Sequence, residues 1–496
     1  MPEVPPDVPP PIAQSRLKRL AVLGSVWTIG GGLATRMLGV VGTLVLTRFI
    51  APYDYGEVSA ATVILMTANQ LSTIGISSYM IAHPKAGRDI LFHLSVVHIV
   101  TGVLGFGVAL AIGARLGPHL DAPTVGRYLT GIAIALMIDR ISLMPERVLV
   151  RSMRFGQITI GRTAGDIVYT VVSVGTAMRG WGGMAVVAGN LGRSATRFVC
   201  LQVFVHWREW LEPARLRTPV LKDIFRFAVG VYVAALGGFG LRRWDNLIVS
   251  RLWGPATLGA YNLAYNLADI PAVQVGEQVS DVLQSAFARY EGTDRVGALL
   301  RSTKLLAFIM TPMAVGLGCI APTLASTIFD KRWAEVGPML MALSVISFPR
   351  PISGTIVGYL FVLGRSGIVA AMEMITLLLM VVSLFTIGRI SPLGPCIAVG
   401  VTFVVRLILS GVILKMVAAV PLGRFLMPLI PPILASVPMA AAVIGTHIAL
   451  APAHLRVTGL VCEIVAGSIG YAVGALLFAR SQLRELLSLA RNLRRK

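Results

Sequence analysis

Charge is scarce in this chain, and acidic charge most of all. Only 14% of residues are charged, 23 Asp and Glu against 44 Lys and Arg, while 55% are hydrophobic. With a mean hydropathy of +0.77, the chain lacks the polar surface a soluble globular domain requires. The net charge of +21 would point to nucleic acid in a soluble protein. Here no basic patch stands free of an apolar run, so nucleic acid is excluded and contact with anionic membrane lipids is expected. Cysteine is also rare. Cys200, Cys319, Cys396 and Cys462 are isolated inside apolar runs, which excludes a disulfide framework and a zinc knuckle and leaves packing. No Ser–His–Asp set is present. The Gly-rich GGGLATR, Gly30–Arg36, lies inside an apolar run rather than after a strand, so it is not a phosphate-binding loop. No cofactor and no metal are expected.

What the chain has in abundance is apolar length. Runs of about 18 or more mostly apolar residues recur along nearly all of it, the mark of an all-α polytopic membrane protein. The pattern predicts about fourteen transmembrane helices. The first six cover 22–47, 57–82, 91–114, 128–145, 157–177 and 184–206. The next six cover 225–249, 258–285, 303–328, 338–362, 367–388 and 393–416, and the last two 425–450 and 457–479. The connections are short, the longest running from Trp207 to Asp223. None can hold a catalytic domain. The Pro-rich start, MPEVPPDVPPPIAQ, is expected to be disordered, and it lacks the order of a cleaved signal peptide, so the first span is expected to remain as a signal anchor.

One stretch occurs twice. LTRFIAPYDYGEVSAA, Leu46 to Ala61, aligns without a gap with VSRLWGPATLGAYNLA, Val249 to Ala264, 203 residues later. Arg48 matches Arg251, Pro52 matches Pro255, Gly56 matches Gly259 and Ala61 matches Ala264; Thr47 and Ser250 both carry hydroxyls, and Ala51 and Gly254 are both small. Each copy closes the first span of a half and opens the second. The chemistry reads as a helix ending at an Arg anchor on the water boundary, a Pro-opened turn, and a Gly that lets the next helix start close by. Duplicated halves around a central site are a transporter architecture.

An even number of spans puts both ends on one side. Arg16, Lys18 and Arg19 precede the first span, and Arg480, Arg484, Arg491, Arg494, Arg495 and Lys496 follow the last, so both termini are expected to be cytoplasmic. Loops on that side carry about fourteen Lys or Arg and the opposite loops about nine, which agrees with the same rule. In the tail, Leu483, Leu486, Leu487, Ala490 and Leu493 recur at helical spacing among basic residues. That predicts an amphipathic helix, lying on the inner membrane surface or solvated.

Ionisable groups inside apolar spans are costly and therefore informative. Arg36 lies in the first span, and Arg242, Arg243 and Asp245 in the seventh. Arg193 and Arg197, four apart in the sixth, either pair with Asp139 or Asp166 or hold an anion. Arg350 sits between two prolines in the tenth. In the eighth, Asn262, Asn266 and Asp269 fall on one helical face, continued by Glu277 and Asp281; a polar stripe of this kind should face a wet cavity rather than lipid. Amides and carboxylates there suit sugar hydroxyls, and Asp269, Asp245 or Glu277 is the candidate to carry a coupling ion. Arg162 and Asp166, four apart, read as an ion pair. Asp139 and Arg140 point apart, and each needs another partner. His93 and His98, on different faces of the third span, are each expected to make an interhelical hydrogen bond.

After the second copy of the repeat the chain reads LGAYNLAYNLADIPAVQVGEQVSDVLQSAFARYE. This resembles the eighth-helix region of the polysaccharide transporter family, within the multidrug/oligosaccharidyl-lipid/polysaccharide (MOP) exporter superfamily. LTRFIAPYDYG resembles its first-loop motif, PERVLVRSMRFGQI its fourth-loop motif and GWGGMAVVAGNL the start of its sixth helix. The resemblance runs from about Ser25 to Leu414 and rests on the order of the motifs together. Two departures stand out: SDVLQSAFARY lacks the Pro often found before its Ala-Phe, and Met184 stands where Trp is more usual.

The resemblance implies two six-helix lobes facing a central cavity, plus two peripheral helices. The expected division is a disordered N-terminus (1–20), an N-lobe (21–207), a cytoplasmic linker (208–224), a C-lobe (225–417), the last two spans (424–480) and a basic tail (481–496). It further implies export, without bond-making, of an oligosaccharide or polysaccharide repeat unit linked to undecaprenyl pyrophosphate, across a bacterial inner membrane. Polymerase or co-polymerase proteins of the same export pathway are the protein partners it suggests. Arg36 and Arg243, from the opening spans of the two lobes, are then the expected pyrophosphate ligands, with Arg242 the alternative and Arg193 and Arg197 next. A multidrug antiporter of the same superfamily would want an acidic cavity instead, and a membrane glycan polymerase a larger loop.

The topology carries its own test. A periplasmic reporter fused after Lys496 should be silent and a cytoplasmic one active; the reverse result removes the even-numbered arrangement.

Overall fold

The computed structural model describes residues 39, 42–73, 88–117, 119, 122–152, 154–277, 292–450 and 456–494. Arg36, Asp281 and the Pro-rich start lie outside them. Among the described residues the regular structure is entirely helical. Among the described residues, eight helices are long and apolar enough to cross a membrane. Their outer faces are apolar too: Val100, Leu104 and Val108 stand on one side of a single helix, each at least half exposed, as hydrocarbon-facing side chains do. The chain is a multi-pass membrane protein.

It folds as two compact units, Met1–Leu236 and Gly237–Lys496. In the first unit, α1 (Pro52–Ser72), α2 (Arg88–Leu116), α3 (Gly126–Arg151), α4 (Phe155–Ala177) and α5 (Met184–Phe204) are followed by the short α6 (Arg208–Leu211). Pro52 opens α1, where its missing N–H costs nothing. From the next turn the buried Glu57 reaches the backbone N–H of Thr124 at 3.0 Å and its hydroxyl, fastening the start of α3 to α1. Gly180 (φ +80) and Gly182 (φ +51) make the tight turn before α5, a conformation other residues adopt only with strain. Leu91, Leu94, Met144, Leu149, Leu201 and Trp210 form the apolar core at one end of this unit.

The long α7 (Thr218–Pro271) carries the chain from the first unit into the second. It is two helices joined at Gly254, whose φ of 77° and ψ of 175° interrupt the helix just before Pro255. This is the second copy of the repeat. In the first copy Ala51, in extended conformation (φ −74°, ψ 151°), makes the break before Pro52. Thr47 and Ser250 are both buried, as are Ala61 and Ala264, while Arg48 and Arg251 are exposed. The two copies therefore share breakpoint and burial.

Beyond Pro271 the ladder widens into a π-helical turn, Ala272–Glu277, where the proline removes a hydrogen bond. The second unit continues with α8 (Gly292–Ile328), α9 (Val336–Leu343), α10 (Pro349–Val362), α11 (Ser366–Thr386), α12 (Gly394–Ala418), the short α13 (Leu422–Leu426), α14 (Ile430–Leu450), α15 (Arg456–Phe478) and α16 (Arg480–Arg494). Pro349 and Pro351 cannot donate to the helical ladder, so the span expected at 338–362, one apolar stretch over Val336–Val362, is built from α9, a 3-10 turn at Ser344–Ser347, and α10. α14 and α15 pack closely because glycines line the contact: a Cβ on Gly470 would lie 2.9 Å from Met439 Cα and from the Pro438 carbonyl.

The tail forms a helix, α16, where the spacing predicts one, and Leu483 and Leu486 on it pack on Phe308, Ala435, Ala475 and Ala479. Glu485 pairs with Arg301 and with Lys304 (3.3 Å), and Gln482 donates to the Pro428 carbonyl at 3.2 Å.

Inside the second unit, Glu373 on α11 and Arg406 on α12 form a two-pronged ion pair, at 2.8 and 2.5 Å, each residue 7% exposed. Removing one partner strands a buried charge, whereas removing both does not. Glu373→Gln should lower stability by about 3–5 kcal/mol, and Glu373→Gln/Arg406→Met should recover most of that loss. Thermal unfolding in detergent reads both, and a single variant as stable as the parent would show the pair to be dispensable.

Candidate functional site

Two polar constellations lie inside the helices, one in each unit. The first is ionic. Asp139 and Glu146 are seven apart on α3, Arg162 and Asp166 four apart on α4, and Arg193 and Arg197 four apart on α5, so each pair shares one face. Glu146, almost fully buried, binds Arg162 at 2.7 Å with one oxygen and Arg197 with the other. Asp139 lies 3.7 Å from Arg197 and Asp166 3.9 Å from Arg193. Arg193 also bonds Asn190 at 2.5 Å and stacks over Tyr169 at 5.1 Å. The expected Arg162–Asp166 pair is not what forms: Glu146 takes Arg162 because it is the deeper carboxylate, shielded from water, where an opposite charge is worth most. Three acids thus face three arginines, and Arg193 and Arg197 both stand beside carboxylates.

Beside this cluster Arg140 behaves differently. It is 4% exposed and its guanidinium donates to the His98 carbonyl (2.7 Å), Asn69 Oδ1 (2.6 Å), Ser72 Oγ (2.9 Å), the Ser72 carbonyl (2.8 Å) and Thr101 Oγ1 (2.9 Å). The partner it needed is a set of neutral acceptors, several of them at the C-terminal end of α1, where helix carbonyls favour a cation.

The second constellation, in the other unit, is a ladder of neutral and paired groups on α7. Asp245, fully buried, accepts from Tyr261 Oη at 2.6 Å and from Asn246 Nδ2 at 3.0 Å. Asn262 donates to Asn246 Oδ1 at 2.8 Å, and Asn266 donates to Asn262 Oδ1 at 2.8 Å. The ladder crosses the Gly254 break, and its last rung, Asn266, is exposed. One turn further on, Asp269 pairs with Arg350 of α10, both mostly buried, and Ser347 donates to the Ala268 carbonyl.

Of the residues singled out from sequence, Asp245, Asn262, Asn266 and Asp269 therefore lie along one helical pair, Asn262 and Asn266 in direct contact. Arg242 is exposed and Arg243 half-buried on the same helix, with Arg242 donating to the Gly238 carbonyl at 3.2 Å. The Glu277 side chain and Arg36 fall outside the described residues. Sequence reasoning missed Glu146, Asn246, Tyr261, Glu373 and Arg406. The signal for the last two was available: each is a lone charge in an apolar span. Glu146 was hidden by its place at a predicted loop edge. Among the described residues no group of three or more His, Cys, Asp or Glu converges on a point that could hold a metal.

A model of the family described as "Polysaccharide biosynthesis protein" matches residues 45–338, more than half of the chain. The succinoglycan biosynthesis transport protein ExoT of Rhizobium meliloti (strain 1021) is 23% identical over 484 residues, covering 94% of each protein. Among solved structures, the lipid II flippase MurJ in an inward closed conformation superposes with a TM-score of 0.76 at 13% identity, over 93% of this chain and 100% of that one. An inward-facing MATE multidrug transporter of the MOP superfamily gives 0.62 at 13% identity, over 77% and 94%. At such identities the structures establish the fold. The chain belongs to the polysaccharide biosynthesis protein family and is built on the fold of the MOP-superfamily transporters.

Proposed function

We propose that this protein is a flippase with fourteen spanning helices, both termini in the cytoplasm of a bacterial cell. It moves a polyprenyl-pyrophosphate-linked oligosaccharide or polysaccharide repeat unit across the inner membrane by alternating access, and it makes no bonds. The observation that carries the reading is the ladder from Asp245 to Asn266, taken with the full-length likeness to a protein named for succinoglycan transport. Amides in a chain present donors and acceptors at fixed spacing, which suits sugar hydroxyls. A polar chain ending at an exposed Asn266 extends that pattern outward. Asp269, paired with Arg350, is the candidate coupling acid: a proton on its carboxyl would cancel the pair and change what holds α7 to α10. Asp245 and Glu277 are the alternatives.

The cargo's pyrophosphate needs cationic partners, since an isolated anion is strongly disfavoured away from water. Arg36 and Arg243 are assigned this role, with Arg242 the alternative. Arg193 and Arg197 already stand beside carboxylates and are assigned to structure first. A multidrug antiporter accounts less well for arginines at these positions, because a cationic drug would be repelled by them.

The arginine roles separate experimentally. At equal protein abundance, Arg36→Gln and Arg243→Gln should each lose most lipid-linked glycan export in a proteoliposome assay, while the Lys variants keep part of it. Normal export by both Gln variants would move the pyrophosphate site elsewhere. Arg197→Gln should instead reduce abundance and thermal stability, and Glu146→Gln in the same chain should restore much of both, because the stranded carboxylate is what costs. Asp269→Ala strands Arg350 and should lower abundance; compared at equal inserted protein it should still export poorly, with Asn262→Ala and Asn266→Ala milder, each losing a neutral hydrogen bond worth about 1 kcal/mol. Full export by the Asp269 variant would remove that residue from the mechanism.

A further inference from the structure

The exposed faces of α14 and α15 each finish in arginine, and at the same end of the pair. Met427, Ile430, Leu434 and Val437 are exposed and lie three or four residues apart, so they form one apolar stripe along α14. Arg424, also exposed, stands a turn before Met427 at the foot of that stripe. On α15, Val473, Leu476 and Leu477 are exposed, and the exposed Arg480 and Arg484 continue their helical spacing. Helical bonding runs on across the join, the N–H of Leu483 donating to the Ala479 carbonyl at 3.1 Å. The tail helix therefore carries the same face onward.

The two stripes share one outer surface. Gly474 packs against Ala435 and Gly470 against Met439, which sets the start of α14 level with the end of α15. α8 covers the back of the pair: Gly316 lies against Met439, and Tyr471 Oη donates to the Phe308 carbonyl at 2.7 Å. The exposed faces of α14 and α15 thus look out together, onto hydrocarbon.

Positive charge at this end is not balanced by protein. Arg301 and Lys304 of α8 share Glu485, and among the described residues no other carboxylate pairs with this group of cations. Arg480 turns its Nε back to the Leu476 carbonyl. Arg424 and Arg484 bond no described side chain. A soluble anion would satisfy the guanidinium groups and leave the apolar stripes uncovered. A zwitterionic lipid would cover the stripes and place its ammonium among cations. A phospholipid of net negative charge meets both needs, its chains on the stripes and its phosphate in the planar fork of an arginine.

We propose that the foot of the α14–α15 surface holds the headgroup of an anionic glycerophospholipid. Arg424 and Arg484 are its phosphate ligands, with Arg480 beside them. The bound lipid joins α13 to the tail helix, adding to the bond that Gln482 makes to the Pro428 carbonyl. The site is separate from the arginines assigned to the cargo's pyrophosphate and does not rest on that assignment.

The test is thermal unfolding of the full-length protein in neutral detergent, with phosphatidylglycerol or phosphatidylcholine added at equal concentration. Phosphatidylglycerol should raise the unfolding temperature by a few degrees more than phosphatidylcholine, and about 0.5 M salt should erase most of the difference. Arg424→Gln/Arg484→Gln should unfold like the parent without lipid, since both side chains are exposed, yet lose most of the extra gain. Arg154→Gln/Arg179→Gln removes the same charge from exposed positions in the first unit and should keep it. Equal gains from the two lipids overturn the proposal, as does an extra gain that survives Arg424→Gln/Arg484→Gln or disappears in the first-unit control. A gain of the same size from inorganic phosphate alone would show a site for a free anion and overturn it too.

Discussion

A polar or ionised side chain buried among apolar helices must end on a protein partner, because no water is there to take its hydrogen bonds. The interior of this protein is arranged around that constraint. Glu373 and Arg406 satisfy each other with two parallel bonds. Glu146 divides its two oxygens between Arg162 and Arg197. Arg140 shows a third solution, its charge spread over carbonyls, an amide and hydroxyls, with no carboxylate among the bonds described. An ion pair gives directional strength and costs two desolvations, while a cage of neutral dipoles costs one but must be assembled from several elements at once. That difference explains why Arg140 sits where α1, α2 and α3 meet.

The interruptions in the helices serve the same end. A straight helix presents its polar residues along one stripe, and a partner must lie alongside. Gly254 and the Ser344–Ser347 turn break that geometry. The first lets the ladder run from Asp245 and Asn246 across to Tyr261 and Asn262, and the second accompanies the contacts that Arg350 and Ser347 make with α7. Broken helices of this kind are tolerated in membrane proteins only where other protein groups satisfy the freed backbone or the break lines a wet cavity. A transporter that makes no bonds needs such places, since its work is to exchange one set of satisfied polar contacts for another.

Composition and periodicity alone determined the fold class: an apolar chain with recurring long runs can only be a multi-pass helical protein, and the described helices fall on the segments read from the second span onward. The repeat at Leu46 and Val249 was equally legible, because proline and small residues act locally on the backbone. So was the stripe of Asn262, Asn266 and Asp269, which follows from helical spacing within one element. Pairing was not legible. Arg162 has Asp166 one turn away on its own helix, yet it bonds Glu146, sixteen residues back on another. Helical spacing put Leu483 and Leu486 on one face of the tail, and that face packs on Phe308, Ala435, Ala475 and Ala479. Helical periodicity says which residues share a face; it carries nothing about which face meets which, or how deep each carboxylate lies. Those depend on how helices distant in sequence pack, so the partner of every buried charge, and the bond between His93 and Arg217, was decided by the tertiary structure.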